Sequence, residues 1–255
     1  MSELEPVAWL LVFILSITAH EAAHAWAAYI GGDPTAYQGG QVSLNPVPHM
    51  KREPFGMVLI PPLTRFTNGF PIGWPSTPYD PRWEEMYPRR AAWMAAAGPG
   101  ANLLLAVLSL VALRIGLDVG WFSVPEQIDA SRLVIAASNE MDGFGRFLSM
   151  MLVLNTILCL FNLVPVPPLD GASAIGLLLS DAAGRRLQQC MAQPMLAWPA
   201  CAFGWAVAPV PHGRIGLVVP RPPLQPGRRA FRVQRPVGRG FGPRLLPRAA
   251  APSRA

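Results

Sequence analysis

His20-Glu21-Ala22-Ala23-His24 puts two imidazoles four residues apart, which on a helix is one face and a spacing that can bind a single zinc ion. The intervening Glu21 then reaches a water on that ion. Zinc lowers the pKa of such a water to about 7 and polarises a scissile carbonyl, while the glutamate removes and returns the proton. The chemistry on offer is metal-assisted hydrolysis. A five-residue pattern with three fixed positions also arises by chance, and a buried histidine is more often a satisfied core residue than a ligand. Here the setting argues against chance, because the three residues lie inside the apolar stretch 7–30. An acidic residue at the middle of a membrane helix costs about 2.5 kcal/mol or more on insertion scales, so such groups face a cavity and have a use.

Two imidazoles leave a zinc site incomplete, and a third ligand has to come from a distant segment. Asp170 is the one acidic residue near the inner end of the other apolar spans. It follows Asn162-Leu163-Val164-Pro165-Val166-Pro167-Pro168-Leu169 and precedes Gly171, a run whose prolines prevent a regular helix and can aim a carboxylate back toward a bundle. Two imidazoles and one carboxylate keep a position open for water, as catalytic zinc sites do. Asn102 sits among apolar residues, so its amide needs a partner. His49 is a fourth polar candidate, although an exposed loop histidine is the plainer reading.

The elements that must hold these groups follow from composition. Of 255 residues, 51% are apolar and 14% charged, which points away from an ordinary soluble domain and toward a membrane protein. The apolar residues cluster at 7–30, 91–117 and 147–164, each long enough or nearly so to cross a hydrocarbon layer of about 30 Å as helix. Pro6 suits a helix start, and Gly31-Gly32-Asp33-Pro34 ends the first span. Glu3 and Glu5 stand where a signal peptide has positive charge, so this span is expected to stay in the mature protein.

Residues 35–53 read as a loop or short hairpin, and 54–73 as a re-entrant or short irregular segment interrupted at Pro61-Pro62. Non-helical backbone at membrane depth is tolerated where protein or a water-filled cavity covers it. Residues 74–90 form a proline-rich connector and 118–146 an acidic external loop. Lys51-Arg52, Arg89-Arg90 and Arg185-Arg186 are expected on the cytosolic side, so the first span runs inward, the second outward and the third inward. Trp74 and Trp93 suit an interfacial belt. Cys159, Cys190 and Cys201 have no paired spacing and receive no role.

His-Glu-Ala-Ala-His at 20–24, Gly-Pro-Gly-Ala-Asn at 98–102 and Asn-Leu-Val-Pro-Val-Pro-Pro-Leu-Asp-Gly at 162–171 together resemble the site-2 protease family, in its compact bacterial form without a PDZ insert. The resemblance extends to Asn45-Pro-Val-Pro-His49 and Phe70-Pro-Ile-Gly-Trp74-Pro and covers about residues 7 to 190. It implies His20, His24 and Asp170 as ligands of one zinc ion per chain and Glu21 as general base. It also implies a catalytic place for Asn102, orienting substrate or stabilising charge. The other reading of Asn102 is a helix–helix hydrogen bond worth about 0.6 kcal/mol. Asn162 has the same two readings, with a structural cap equally open. Gly98, Gly100 and Gly171 read as packing and turn residues.

After about Gln193 the sequence changes character. Residues 197–255 contain 11 prolines and 10 arginines with neither lysine nor acid, whereas 1–196 carry 11 Lys+Arg and 15 Asp+Glu. Such a tail cannot readily form a packed core. Residues 1–193 are therefore expected to be the core and 194–255 an anomalous stretch, disordered or read in a shifted frame of a GC-rich gene. A basic tail attracted to anionic headgroups is the rival. Lacking helix or strand periodicity, the basic tail is not read as a nucleic-acid binder.

The expectation is an all-α polytopic membrane protein, a helical bundle in the bacterial inner membrane. It would hydrolyse peptide bonds in or near transmembrane segments of other membrane proteins, with a zinc-bound water as nucleophile. Its partners would be such substrates and the bilayer, with no nucleic acid and no oligomeric state implied. Two other readings remain open: a metal-binding membrane transporter in which Glu21 is a ligand or proton carrier, and an inactive homologue that scaffolds partners.

Overall fold

In the computed structural model, which describes residues 5–191, the elements run in chain order α1 (Glu5–Ile30), α2 (Thr35–Gln38), α3 (Pro46–Arg52), a π-helical turn (Phe55–Leu59), α4 (Ile60–Asn68), α5 (Pro81–Met86), α6 (Pro88–Asp118), β1 (Phe122–Ser123), β2 (Ile135–Ala136), α7 (Asn139–Asn162), α8 (Asp170–Ala174), a 3-10 turn (Ile175–Leu178) and α9 (Asp181–Met191). The tail expected at 194–255, and Cys201 with it, lies outside the described residues. Helices α1, α6 and α7 are long and apolar enough to cross a membrane, so the all-α polytopic architecture expected from hydropathy is what the chain adopts. The hydropathy boundaries fall short of the helices at some ends. Helix α7 begins at Asn139, eight residues before the apolar stretch, with Glu140 and Asp142 in its first turn where acids suit the helix dipole.

Contacts at successive levels set the helix directions. His20 pairs with Asn102 and His24 with Met94, so α6 runs antiparallel to α1. Ser16 and Asn102 both meet Asn155, which brings α7 into the same layer. The core joins Trp9, Val12, Phe13 and Ile17 of α1 to Met57, Met150, Met151 and Leu154. On the opposite side of α6, Leu103, Leu104, Val107, Leu108, Leu110 and Val111 lie exposed. In a bilayer these side chains meet hydrocarbon, which solvates them as well as a protein core would.

The segment expected to be broken at Pro61-Pro62 is instead helical from Phe55 to Asn68, because both prolines fall in the first turn of α4, where no intrahelical amide is needed. Gly69, at φ 77°, caps it and reverses the chain. Residues 70–80 then return in extended form along α1: the Phe70 ring lies 5.1 Å from that of Trp9, Thr77 reaches Glu21, and the Asp80 amide donates to Asp33 at 2.8 Å. The return is tightly seated. A Cβ on Gly73 would lie 2.8 Å from Phe13 and 2.9 Å from Pro61, and one on Gly56 would overlap the Trp74 carbonyl. Arg65, buried in α4, faces Glu5 at 3.6 Å and ties the hairpin to the start of α1.

Three further expectations are corrected. Residues 35–53 form the short helices α2 and α3 rather than a loop or hairpin, since Asn45 caps α3 by accepting from the Val47 amide at 3.0 Å and Pro46 follows it. His49 is buried rather than exposed: α3 turns it inward, and its Nε2 donates to the Ser43 carbonyl at 3.0 Å. The 118–146 loop is not wholly solvated, because β1 and β2 pair antiparallel and Phe122 and Val134 pack on Leu113 and Leu148.

Candidate metal centre

The helical spacing of α1 points His20 and His24 in one direction, and their Nε2 atoms stand 2.9 Å apart. Asp170, the first residue of α8, is brought to them by the turns that follow α7. Its Oδ2 lies 3.0 Å from His20 Nε2 and 3.3 Å from His24 Nε2. The Nδ1 atoms settle what these contacts are. His24 Nδ1 lies 2.7 Å from the Met94 carbonyl, which can only accept, so Nδ1 carries a proton and, in the neutral ring that binds a metal, Nε2 has the lone pair. His20 Nδ1 donates in the same way to Asn102 Oδ1 at 2.6 Å. With both rings neutral, three lone-pair-bearing atoms converge, and Asp170 Oδ2 is buried without a hydrogen-bond partner.

Three acceptors crowded together repel one another unless a cation sits among them. Their separations approach the roughly 3.3 Å expected between tetrahedral zinc ligands at about 2.0–2.1 Å. The backbone leaves room on the α6 side, where a Cβ on Gly98 would overlap His24 Nε2 and lie 2.6 Å from His20 Nε2. Gly98, read from sequence as a packing residue, is thus the bare wall of the cradle. The residues present fit a zinc ion.

Glu21 is buried beside this group, with Oε1 4.0 Å from His20 Nε2. Its Oε2 accepts from the Thr77 hydroxyl at 2.5 Å, which leaves Oε1 as the oxygen turned toward the His20, His24 and Asp170 cluster. Thr77 belongs to the returning segment 70–80 and carried no signal in sequence, being one polar residue of a proline-rich connector. Glu21, His24, Thr77, Tyr79, Glu84 and Asp170 line a cavity of about 240 Å³ that opens from the cluster. Burial, helped by the neighbouring Glu84 charge, pushes the Tyr79 phenol up to about 12. Burial also raises Glu84 above the usual carboxylate range, against the lowering effect of a hydrogen bond from Tyr79.

Of the remaining candidates, Asn102 is fully buried behind His20, away from the cavity. Asn162 Nδ2 donates to the Leu158 carbonyl at 3.0 Å, which is a contact of the helix end. His49 is held by Ser43 in α3. Sequence reasoning passed over Asn155, although an amide inside an apolar span is the same signal that singled out Asn102.

Among known proteins, the chain is 35% identical over 162 residues to "Putative zinc metalloprotease YwhC" of Bacillus subtilis (strain 168), covering 63% of this chain and 64% of that protein. It is 29% identical over 179 residues to "Putative zinc metalloprotease Rip2" of Mycolicibacterium smegmatis, covering 68% and 60%. The chain thus spans somewhat less than two thirds of the length of these relatives. No solved structure matches it. The family model for Peptidase family M50 matches residues 8–201, a range that contains every residue of the cluster, and the chain belongs to that family, the site-2 proteases.

Proposed function

We propose that the protein is an intramembrane zinc metalloendopeptidase that cuts peptide bonds in or near the transmembrane segments of other membrane proteins, from a place in the cell membrane of a bacterium. The observation that carries this reading is the meeting of His20, His24 and Asp170 beside Glu21 within a membrane-length helix. His20 is 15 residues into α1, roughly 22 Å from its start at 1.5 Å per residue. That depth lies within the hydrocarbon if α1 spans it.

In this reading His20 Nε2, His24 Nε2 and Asp170 Oδ2 hold one zinc ion per chain. When bound, zinc supplies a Lewis acid for the scissile carbonyl and acidifies a water. Glu21, through the free Oε1, takes the proton of the attacking water and returns it to the leaving amine. The Thr77 hydroxyl holds Oε2 and so prevents the carboxylate from turning away between the two transfers. The substrate must enter as an extended strand, because a regular helix keeps its carbonyls in hydrogen bonds. The cavity bordered by Thr77, Tyr79 and Glu84 is where such a strand would lie. The α1 and α7 ends nearest the site face the cytosol in this orientation, consistent with the basic pairs on that side.

The test is to purify the chain, measure bound zinc and compare cleavage of a model transmembrane substrate by wild type and Glu21→Gln. The amide keeps the shape and cannot take a proton. Zinc retained with cleavage reduced by about 10²–10⁴-fold is expected. Undiminished cleavage by the variant, or wild type that neither binds zinc nor cuts, would overturn the reading.

A further inference from the structure

Behind His20 lies a chain of buried amides that the proposed reaction does not use. Asn102 Oδ1 accepts from His20 Nδ1 at 2.6 Å, and Asn102 Nδ2 donates to Asn155 Oδ1 at 2.8 Å. Asn155 Nδ2 in turn donates to the Met151 carbonyl at 2.8 Å and to Ser16 Oγ at 2.9 Å. Asn102, Asn155 and Ser16 are each fully buried, so water cannot replace any of these bonds.

The direction of the chain is set chiefly at its far end, and the Ser16 carbonyl, 3.4 Å from Asn102 Nδ2, favours the same sense through a longer bond. An amide can be turned over, exchanging oxygen for nitrogen with little change in shape. The Met151 carbonyl is an acceptor only, so Asn155 must present Nδ2 to it, and its oxygen then faces Asn102. That oxygen in turn demands the nitrogen of Asn102, whose own oxygen is left facing His20. His20 must then carry its proton on Nδ1, and the Nε2 lone pair points at Asp170 and His24. Reversed amides would put a donor against Nδ1 and a proton on Nε2, where it would occupy the place of a metal. His24 needs no such relay, because Met94 supplies its carbonyl directly.

We propose that Asn155, a residue of α7 that touches neither metal nor substrate, is a positioning residue for zinc binding: by fixing the orientation of the Asn102 amide it selects the tautomer of His20. The inference rests on the reading of His20 as a zinc ligand. It also gives α7 a reason to carry an amide in its buried face, where a leucine would pack without needing a partner.

Asn155→Thr and Asn155→Val have nearly the same shape, and only Thr can both donate to the Met151 carbonyl and accept from Asn102. Zinc affinity should stay within a few-fold of wild type in Asn155→Thr and fall by about 10–100-fold in Asn155→Val, as for loss of a group that orients a ligand. Combining Asn155→Val with Asn102→Ala should weaken zinc binding no further than Asn102→Ala alone. Equal affinities for the Thr and Val variants, or losses that add in the double variant, would overturn the proposal. Imidazole nitrogen shifts of metal-free wild type give a check that needs no variant to fold: Nδ1-protonated His20 is expected, and the Nε2-protonated form refutes the relay. If wild type binds no zinc at all, the functional reading itself fails. If wild type binds zinc and the Thr and Val variants match, only the role of Asn155 fails.

Discussion

A single methyl group at Gly98 tests the proposed metal centre more sharply than removal of a ligand, because it changes no ligand. In Gly98→Ala the new Cβ would overlap His24 Nε2 and stand 2.6 Å from both His20 Nε2 and His24 Cε1, where ordinary contact begins at 3.4 Å. The rings cannot retreat. Their Nδ1 atoms are already hydrogen-bonded at 2.6 Å to Asn102 and 2.7 Å to Met94, so α6 has to move away from α1 or the rings have to turn out of line. Overpacking of this kind costs about 1–3 kcal/mol of stability. The methyl also occupies the space into which both Nε2 lone pairs point, so zinc affinity should drop by about 100-fold or more, close to 2.8 kcal/mol. Gly100→Ala is the matched control on the same helix. Nothing lies within 4 Å of its Cβ, and replacing a helical glycine there should leave zinc binding intact while stabilising the helix by up to about 1 kcal/mol. The assay is zinc per chain by elemental analysis, with melting temperature in detergent measured in chelator and in excess zinc. Zinc at about 100 times its dissociation constant should stabilise wild type and Gly100→Ala by about 2.7 kcal/mol and Gly98→Ala hardly at all. Wild-type zinc affinity in Gly98→Ala would show that the cradle is not where the metal sits.

Two other predictions concern buried ionisable groups, one at the start of α1 and one in the cavity. Arg65 and Glu5 are both nearly buried, so Arg65→Met alone should cost about 3 kcal/mol by stranding the carboxylate, whereas Glu5→Gln combined with Arg65→Met should recover much of the loss; additive costs in denaturant unfolding would rule out a coupled pair. Burial raises Glu84 above its ordinary 4.5, so the folded state holds its proton more tightly than the unfolded chain, and this contribution is present at low pH and lost as pH rises through the raised value. The melting temperature of Glu84→Gln should therefore gain on wild type as pH is raised from about 4.5 to 8, and a constant gap would count against the buried carboxylate.

Much of the centre was legible without coordinates. His20 and His24 had to share a face because 3.6 residues per turn brings every fourth side chain back to the same side, and that geometry is local. Hydropathy found all three spans for an equally simple reason, since a chain crossing hydrocarbon must be apolar for most of its length. Asp170 could be reached by exclusion, because so few acids lie near the span ends. The same methods misjudged 35–53, His49 and Pro61-Pro62, where the outcome turned on capping and on which side of a short helix found a neighbour. They also misplaced the start of α7, because hydropathy reports the part of a helix at lipid depth and is blind to polar turns that continue it.

What only the tertiary structure decided is how the ligands are held. Thr77 meets Glu21 across 56 residues, Asn102 meets His20 across 82, and Asn155 meets Asn102 across 53. No periodicity links such positions. Their pairing depends on the level at which three helices and an extended returning segment pack, and a slip of one turn, about 5.4 Å, would separate every pair. The sequence alone specified the pattern of candidate metal ligands, since that depends on residue type and helical repeat. Packing specified which ring nitrogen faces an acceptor and which carboxylate oxygen is free, because both are set by hydrogen bonds between segments far apart in the chain.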